Sequence, residues 1–440
     1  MSGTHAHTVG FTRDTMIPQA DPPMTSVGAI GWAHKNLFST WFNAIVTVAS
    51  LALIFYVLAM IVPWAISPTW ESSSLSECRD ILAAANGGES GHGACWGVIR
   101  ERWVQLMFGF YPSHLHWRPV AAFILLGVAL APVLFSDKVP AKLLYFTLAY
   151  PFIFPWLLWG GTIWAPLSVA AGFGVGYLAY RIVSAVAGDL LSVLAGVVAA
   201  LVWWLVLSGY VVDALAGLIP IGLEPVQSRD FGGFMLSITI GVVAIAASLP
   251  LGVLLALGRR SDLLIVRYLS VGFIEFIRGV PLITLLFVAS TLLNIFMPPG
   301  TDFDIILRVL IMVTLFATAY MAEVIRGGLA ALPKGQYEGA DSLGLNYWQA
   351  QRLIIMPQAL KISIPGIVST FIGVFKDTTL VSIIGLMDPL GLTNGIRADT
   401  NWNGIVWELY GFIALVFFVF CFSMSRYSMY LERRLHTGRK

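Results

Sequence analysis

Four groups of side chains able to do chemistry stand out in a chain that is otherwise apolar. Glu338-Gly339-Ala340-Asp341, followed by Gly344, lies in a polar segment, Pro333 to Pro357, flanked by long apolar runs. Lys376-Asp377-Thr378-Thr379, followed by Ser382, lies inside such a run. Glu275 and Arg278 lie near the middle of another. Cys78, Cys95, His114 and His116 share one polar stretch, residues 67–118.

Each group has more than one use. Glu338 and Asp341 are one helical turn apart, with small residues between them. Such a helix either lies in a groove of a partner carrying basic residues or is an amphipathic connector on the membrane surface. Asp377, Thr378, Thr379 and Ser382 offer both donors and acceptors, which a zwitterion needs for its carboxylate and ammonium. They equally suit a hydrogen-bond network between helices. Thr284, Ser237 and Thr239 are further residues for the same path. Glu275 and Arg278, spaced i, i+3, can pair on one helix face. There they either serve function, as ionisable groups in spans often do, or act as a structural ion pair bracing a bend at Gly279-Val280-Pro281. Cys78 and Cys95 are either a disulfide or two free thiols. Cys421 sits in a late apolar run. His114 and His116 lack the third or fourth ligand a zinc site needs, so no metal site is expected. Nor is a catalytic group: no GxxxxGK[ST] phosphate loop, HExxH or Gly-rich dinucleotide turn is present.

The elements that position these groups follow from composition. The chain has 440 residues, 58% of them hydrophobic and 11% charged, with a formal net charge of +2. Its mean hydropathy is +0.80. Soluble domains carry roughly 25% charged residues, so a large soluble protein is excluded. A transmembrane helix needs about 20 mostly apolar residues. Candidates are 39–66, 119–136, 190–212, 231–257, 264–296, 305–322, 363–386 and 404–425. The apolar stretch 142–180 is broken by Pro151, Pro155, Gly160, Gly161 and Pro166, and forms two further spans or a re-entrant pair. The expected fold is therefore an all-α integral membrane protein with eight or ten spans.

Orientation follows from Lys and Arg. Arg259 and Arg260, then Arg326, Lys334, Arg352 and Lys361, then Arg426, Arg433, Arg434, Arg439 and Lys440 fall on one side when the spans alternate. That side is cytoplasmic, both termini included, and 67–118 then lies outside, where disulfides persist. Residues 1–36 are polar and read as a flexible cytoplasmic tail, with no cleavable signal peptide expected. A turn-prone segment, Gly222 to Gly233, divides an N-terminal membrane half, 37–228, from a second half, 229–440. No convincing repeat relates the halves.

Within the polar insert, Pro333 suits a first helical turn, and Gly344 the left-handed position that ends a helix. Asn346 caps a second short helix through Arg352 to Met356, which Pro357 closes.

The spacing Glu338-Gly339-Ala340, Gly344, Ile354-Ile355-Met356-Pro357 resembles the EAA loop of importer-type ABC permeases. It departs from the family pattern at Gly339, usually alanine, and at Met356, usually leucine. The stretches "EFIRGVPLITLLF", "AYMAEVIRGGLAALPKGQYEGADSLGL" and "FKDTTLVSIIGL" are similar to the polar amino acid subfamily and cover most of 230–440. The enlarged N-terminal half resembles the large permease of general L-amino acid importers of Gram-negative bacteria. The resemblance implies a permease core of five spans, 229–440, preceded by three to five more, with a cytoplasmic coupling loop over 326–361. It nominates Glu338, Gly339, Ala340, Asp341, Gly344 and Pro357 for coupling to a separate ABC ATPase. It implies two copies of that ATPase, which hold the ATP and Mg this chain does not, a second and related permease chain, a periplasmic amino-acid-binding protein, and residence in the bacterial inner membrane. No nucleic acid is implied. An ion-coupled secondary amino-acid transporter is the alternative; the polar insert then has no role.

Overall fold

A computed structural model of the chain describes residues 28–85, 93–296 and 303–436. The described chain is almost wholly helical, because a helix satisfies its own backbone groups where no water can. Of the tail expected over 1–36, residues 1–27 lie outside the described residues, and Gly28–Asn36 forms a helix, α1, instead of flexible coil.

Two compact units are distinguished, residues 1–68 with 82–94, and residues 69–81 with 95–440. The first contains α2 (Trp41–Ala65), capped by the Thr40 hydroxyl accepting from the Asn43 N–H. Hydrophobic residues run all round α2, and none of its residues is buried. Helix α3 (Leu75–Ala85) crosses from one unit to the other.

The second unit holds the remaining helices. They are α4 (Gly97–Phe108), α5 (Trp117–Leu134), α6 (Leu144–Trp159), α7 (Trp164–Ser184), α8 (Asp189–Val202), α9 (Ser208–Leu218), α10 (Gly233–Arg259), α11 (Leu264–Gly279) and α12 (Leu282–Phe287). Next come α13 (Leu293–Phe296), α14 (Ile305–Ala330), α15 (Lys334–Ser342), α16 (Tyr347–Ala350), α17 (Met356–Asp377), α18 (Pro389–Ala398) and α19 (Trp407–His436). The proline-broken stretch becomes two helices, α6 and α7, turning at Gly160 and Gly161, both at positive φ. A Cβ at Gly160 would lie 2.1 Å from the Glu224 carbonyl oxygen, so only glycine fits that corner. Beside it, β1 (Gly161–Thr162) pairs antiparallel with β2 (Gly222–Leu223).

Among the described residues, nine helices are long and apolar enough to cross a membrane, or ten if the bent pair α11–α12 is one span. Connectivity favours ten. Met235 and Leu236, at the start of α10, share a hydrophobic cluster with Ile306 and Val309, at the start of α14. Arg259 closes α10 and pairs with Glu323, late in α14. The two helices therefore run parallel, and the chain between them must return across their length. The 100° bend at Val280-Pro281 breaks that return. The same cluster joins Leu126, Tyr150 and Phe154 to Phe231, Leu236 and Val313, so helices on both sides of residue 228 share one core.

The start of the second unit is tied down. Cys78 and Cys95 are disulfide-bonded, with Cα atoms 5.8 Å apart and a sequence separation of 17. Closing a loop of that length stabilises by roughly 3 kcal/mol. The Leu75 N–H donates to the Asn401 carbonyl (2.8 Å), the Cys95 N–H to Glu408 Oε1 (2.9 Å), and Arg102 Nη2 to Asp399 Oδ2 (2.6 Å). The disulfide thus anchors to the connection between α17 and α19.

Candidate functional site

The polar insert forms two helical pieces joined by a sharp turn. Helix α15 starts after Pro333 and ends in a Schellman arrangement. The Leu345 N–H donates to the Ala340 carbonyl, the Gly344 N–H donates to the Asp341 carbonyl, and Gly344 takes φ +69°. The next helix begins with a capping box: Asn346 accepts from the Gln349 N–H, and Gln349 accepts from the Asn346 N–H. It does not stop at Pro357. A π-helical turn over Gln351–Ile355 leads directly into α17, and Pro357 sits in the first turn of that helix. The expectation that Pro357 closes the second helix is therefore corrected. The wider turn shifts the hydrogen-bond register, so the amide proline lacks is not required.

Tyr337 holds α15 against the bundle. Its hydroxyl donates to the Leu329 carbonyl at 3.1 Å and accepts from Arg260 Nη1 at 2.9 Å. The Arg260 guanidinium also lies 5.4 Å from the Tyr337 ring centroid. Gln358 donates to Gln336, tying α15 to α17. These contacts fix which face of α15 points outward. Glu338, Gly339, Asp341 and Gly344 are exposed, with Leu343 and Trp348 beside them. Ala340 is not; it is 1% exposed and faces the chain's own core. Of the coupling residues expected from sequence, Ala340 thus belongs to the support of the element and the others to the surface, Pro357 in the first turn of α17 among them.

Glu275 and Arg278 do not pair with each other, which corrects the expected ion pair. Glu275 bonds Arg259 (2.9 Å), while Arg278 lies 3.7 Å from Glu323 and stacks over Tyr320. Glu323 is the centre of this cluster: Arg259 Nη1 donates to its Oε1 at 2.6 Å, and Arg326 Nη2 approaches its Oε2 at 3.0 Å. Sequence reading passes over Glu323. Its one signal is a lone carboxylate late in an apolar run, with Arg326 at i+3.

The expected substrate-path residues are dispersed. Helix α17 ends at Asp377, and Thr378–Ile384 tightens into a 3₁₀ helix. Thr378, Thr379 and Ser382 donate to the carbonyls of Phe375, Lys376 and Thr379, three residues back. Their donors are spent on their own backbone, and their acceptors remain. Thr378 is buried and packs near Gly241 of α10, one turn from Ser237, whose buried hydroxyl has no hydrogen-bond partner. Thr239 donates to the Met235 carbonyl. Thr284 is exposed on α12, and Asp377 is partly exposed. Missed from sequence is a groove of about 490 Å³ between α17 and α19, lined by Ser369, Gly373, Lys376, Ser425, Ser428 and Glu432. Its α19 half lies about 50 residues away in sequence, beyond any local pattern.

The two histidines turn to separate partners. His114 hydrogen-bonds Glu224, and His116 donates to the Tyr111 carbonyl.

One carboxylate outside the spans is unusual. Asp388 is fully buried and caps α18, accepting from the Leu390 and Gly391 N–H groups. Burial pushes its carboxyl up to about 6 against those hydrogen bonds. A raised acid pKa favours the protonated folded state, so its contribution is full below about pH 4 and is lost as pH rises through about 6. Asp388→Asn keeps the capping oxygen and removes the titration. Thermal unfolding of the purified chain should show less loss of stability between pH 4 and 6 than in the wild type; an unchanged pH profile would refute the assignment.

Residues 248–437 match the family described as binding-protein-dependent transport system inner membrane component. The chain is 57% identical to the glutamate/glutamine/aspartate/asparagine transport system permease protein BztC of Rhodobacter capsulatus, over 97% of this chain and 98% of that one. It is 41% identical to the inner membrane amino-acid ABC transporter permease protein YhdY of Escherichia coli K12, over 93% of this chain and 94% of that one. A solved structure of an amino acid ABC transporter with histidines matches 46% of this chain and 91% of its own, at 30% identity and TM-score 0.41.

Proposed function

The chain belongs to the family of binding-protein-dependent transport inner membrane components, the permeases of ABC transporters, and from that premise we propose that it carries L-amino acids inward as one permease subunit of an ATP-driven importer. The end-to-end identity to a permease named for glutamate, glutamine, aspartate and asparagine carries this reading and suggests those four as the first substrates to assay. Supporting it, the insert forms a short helix with Glu338, Gly339 and Asp341 exposed on a well-anchored base. That is the shape a motor subunit can grip. In this reading two ATPase copies, holding ATP and Mg, dock on Glu338, Gly339, Asp341 and Gly344. A second, related permease completes the path, and a periplasmic binding protein delivers substrate. Asp377, Thr379, Ser382 and Thr284 belong to that path, with Lys376. Both termini are cytoplasmic. In support, Arg260 packs on Tyr337 of the insert, and basic Arg434 near the C-terminus pairs with Asp137 between α5 and α6.

Initial uptake of labelled L-glutamate in cells expressing the full system tests the reading. Uptake should survive a protonophore while cellular ATP is maintained, and stop when ATP is depleted. Uptake that collapses with the proton gradient at constant ATP would overturn it in favour of an ion-coupled carrier.

A further inference from the structure

The connection between α5 and α6, residues 135–143, runs beside the last turns of α19. The Tyr427 hydroxyl donates to the Leu134 carbonyl, 293 positions away in sequence. The rings of Phe135 and Tyr427 meet with centroids 6.0 Å apart, and Arg434 pairs with Asp137. Helices α17 and α19 run antiparallel: Phe375, near the end of α17, meets Phe417 and Phe420, and Pro365 shares a groove with Glu432 further along α19. The end of α19 therefore lies on the insert side of the membrane.

Three basic side chains border this junction. Lys138 follows Asp137, Lys142 sits in the 3₁₀ turn Ala141–Leu143, and Arg426 precedes Tyr427. All three are exposed, and none makes an ion pair or a side-chain hydrogen bond among the described residues. The nearby carboxylates are engaged elsewhere. Asp137 is held by Arg434, and Glu432 accepts from Ser428 in the groove toward α17. Arg426 lies inside the apolar span Trp407–Leu435 and not beyond it. Phe135, Tyr145 and Tyr430 are exposed on the same two elements, and amphipathic rings of this kind sit at headgroup depth. An excess of Lys and Arg on one side orients a chain. It does not by itself gather residues of two distant elements about one aromatic rim. Positive charge and apolar surface thus meet at the membrane boundary.

We propose that this junction binds the phosphodiester headgroup of an anionic lipid. The phosphate takes the free donors of Lys138, Lys142 and Arg426, and the acyl chains lie against Phe135, Tyr145 and Tyr430. Basic pockets between helices at this level are suited to such headgroups. A water-soluble partner would leave the rings uncovered, whereas a lipid covers them with its chains. The bound lipid would bridge α19, in the second half of the chain, to the α5–α6 connection in the first. The inference rests on the chain spanning a membrane and not on what it transports.

The test uses the full chain, purified in detergent and stripped of lipid. It is titrated with dioleoylphosphatidylglycerol or with dioleoylphosphatidylcholine, which has the same chains and no net charge, and bound lipid is counted by native mass spectrometry. Phosphatidylglycerol should bind at least about tenfold more tightly. Each basic residue near an anionic headgroup is worth about fivefold in affinity, so combining Lys138→Gln, Lys142→Gln and Arg426→Gln should weaken that binding roughly 100-fold. Lys138→Arg with Lys142→Arg keeps both charges and should retain it, which separates a lost contact from a misfolded chain. Arg267→Gln, Arg352→Gln and Lys361→Gln together remove the same charge from exposed positions elsewhere on that side, and should leave tight binding in place. Equal affinity for the two lipids overturns the proposal. So do equal losses in the two triple variants, which would mean attraction by overall charge. Displacement of the lipid by equimolar inorganic phosphate overturns it in favour of a soluble-phosphate site. Lipid binding unchanged in the first triple variant overturns it as well, and loss of a co-purifying protein from that variant would then assign the patch to a protein partner.

Discussion

Glu338→Arg and Gly339→Trp should each reduce ATP-driven uptake by roughly 30- to 100-fold, as a like charge or an obstructing ring in a docking groove costs several kcal/mol. The amount of folded permease in the membrane should not change. Both positions are exposed on α15, and a Cβ at Gly339 meets nothing within 4 Å. Neither change touches the Tyr337 anchor, so the helix keeps its seat. Tryptophan also has better helix propensity than glycine. The loss should therefore appear as failure to retain the ATPase in a mild-detergent pull-down, with the second permease still bound. Wild-type uptake in both variants would remove α15 from the coupling assignment.

Ala340→Trp gives a different result for a physical reason. Ala340 is 1% exposed and faces Leu257, Tyr337 and Ile355 across a cavity behind α15. A tryptophan there strains the insert from inside, and overpacking of this kind costs typically 1–3 kcal/mol. Uptake falls in all three variants, but only Ala340→Trp should also lower the unfolding midpoint. Comparing midpoints separates loss of the docking surface from loss of its support.

The insert is legible in the sequence because its signals are local. Pro333 opens a helix, Gly344 takes the left-handed turn, and Asn346 caps the second helix, each within a few residues of its partner. Which face of α15 points outward is not legible, since it depends on Tyr337 meeting Leu329 and Arg260, the latter 77 positions away. The π-helical turn is hidden for a related reason: nothing in Gln351–Ile355 marks a register change, so Pro357 reads as a stop. Helical spacing suggests Glu275 with Arg278, yet Arg259 and Glu323, from neighbouring helices, offer both residues other partners. Spans are legible from apolar length, including the proline-broken pair. The parallel course of α10 and α14 emerges only from contacts between their ends.

Replacing Glu323 should be among the most destabilising single changes in the second unit. Its side chain is 15% exposed and faces Arg259, Arg278 and Arg326. Glu275 is the second carboxylate in reach, and it bonds Arg259 alone among them. Glu323→Leu leaves three guanidiniums around one site, with only Glu275, at Arg259, to offset their mutual repulsion. Removing one partner of a mostly buried ion pair costs about 3–5 kcal/mol. Glu275→Leu is the internal comparison. That side chain is 54% exposed, and an exposed pair contributes roughly 0–1 kcal/mol. Unfolding of the purified chain, followed by tryptophan fluorescence in one detergent, should show a midpoint lowered by at least roughly 3 °C for Glu323→Leu and nearly unchanged for Glu275→Leu. Adding Arg326→Leu to Glu323→Leu should recover part of the loss, because it removes one of the stranded charges. Equal midpoints for the two single variants would mean that the arginines are satisfied by solvent, and that Glu323 does not hold α10, α11 and α14 together.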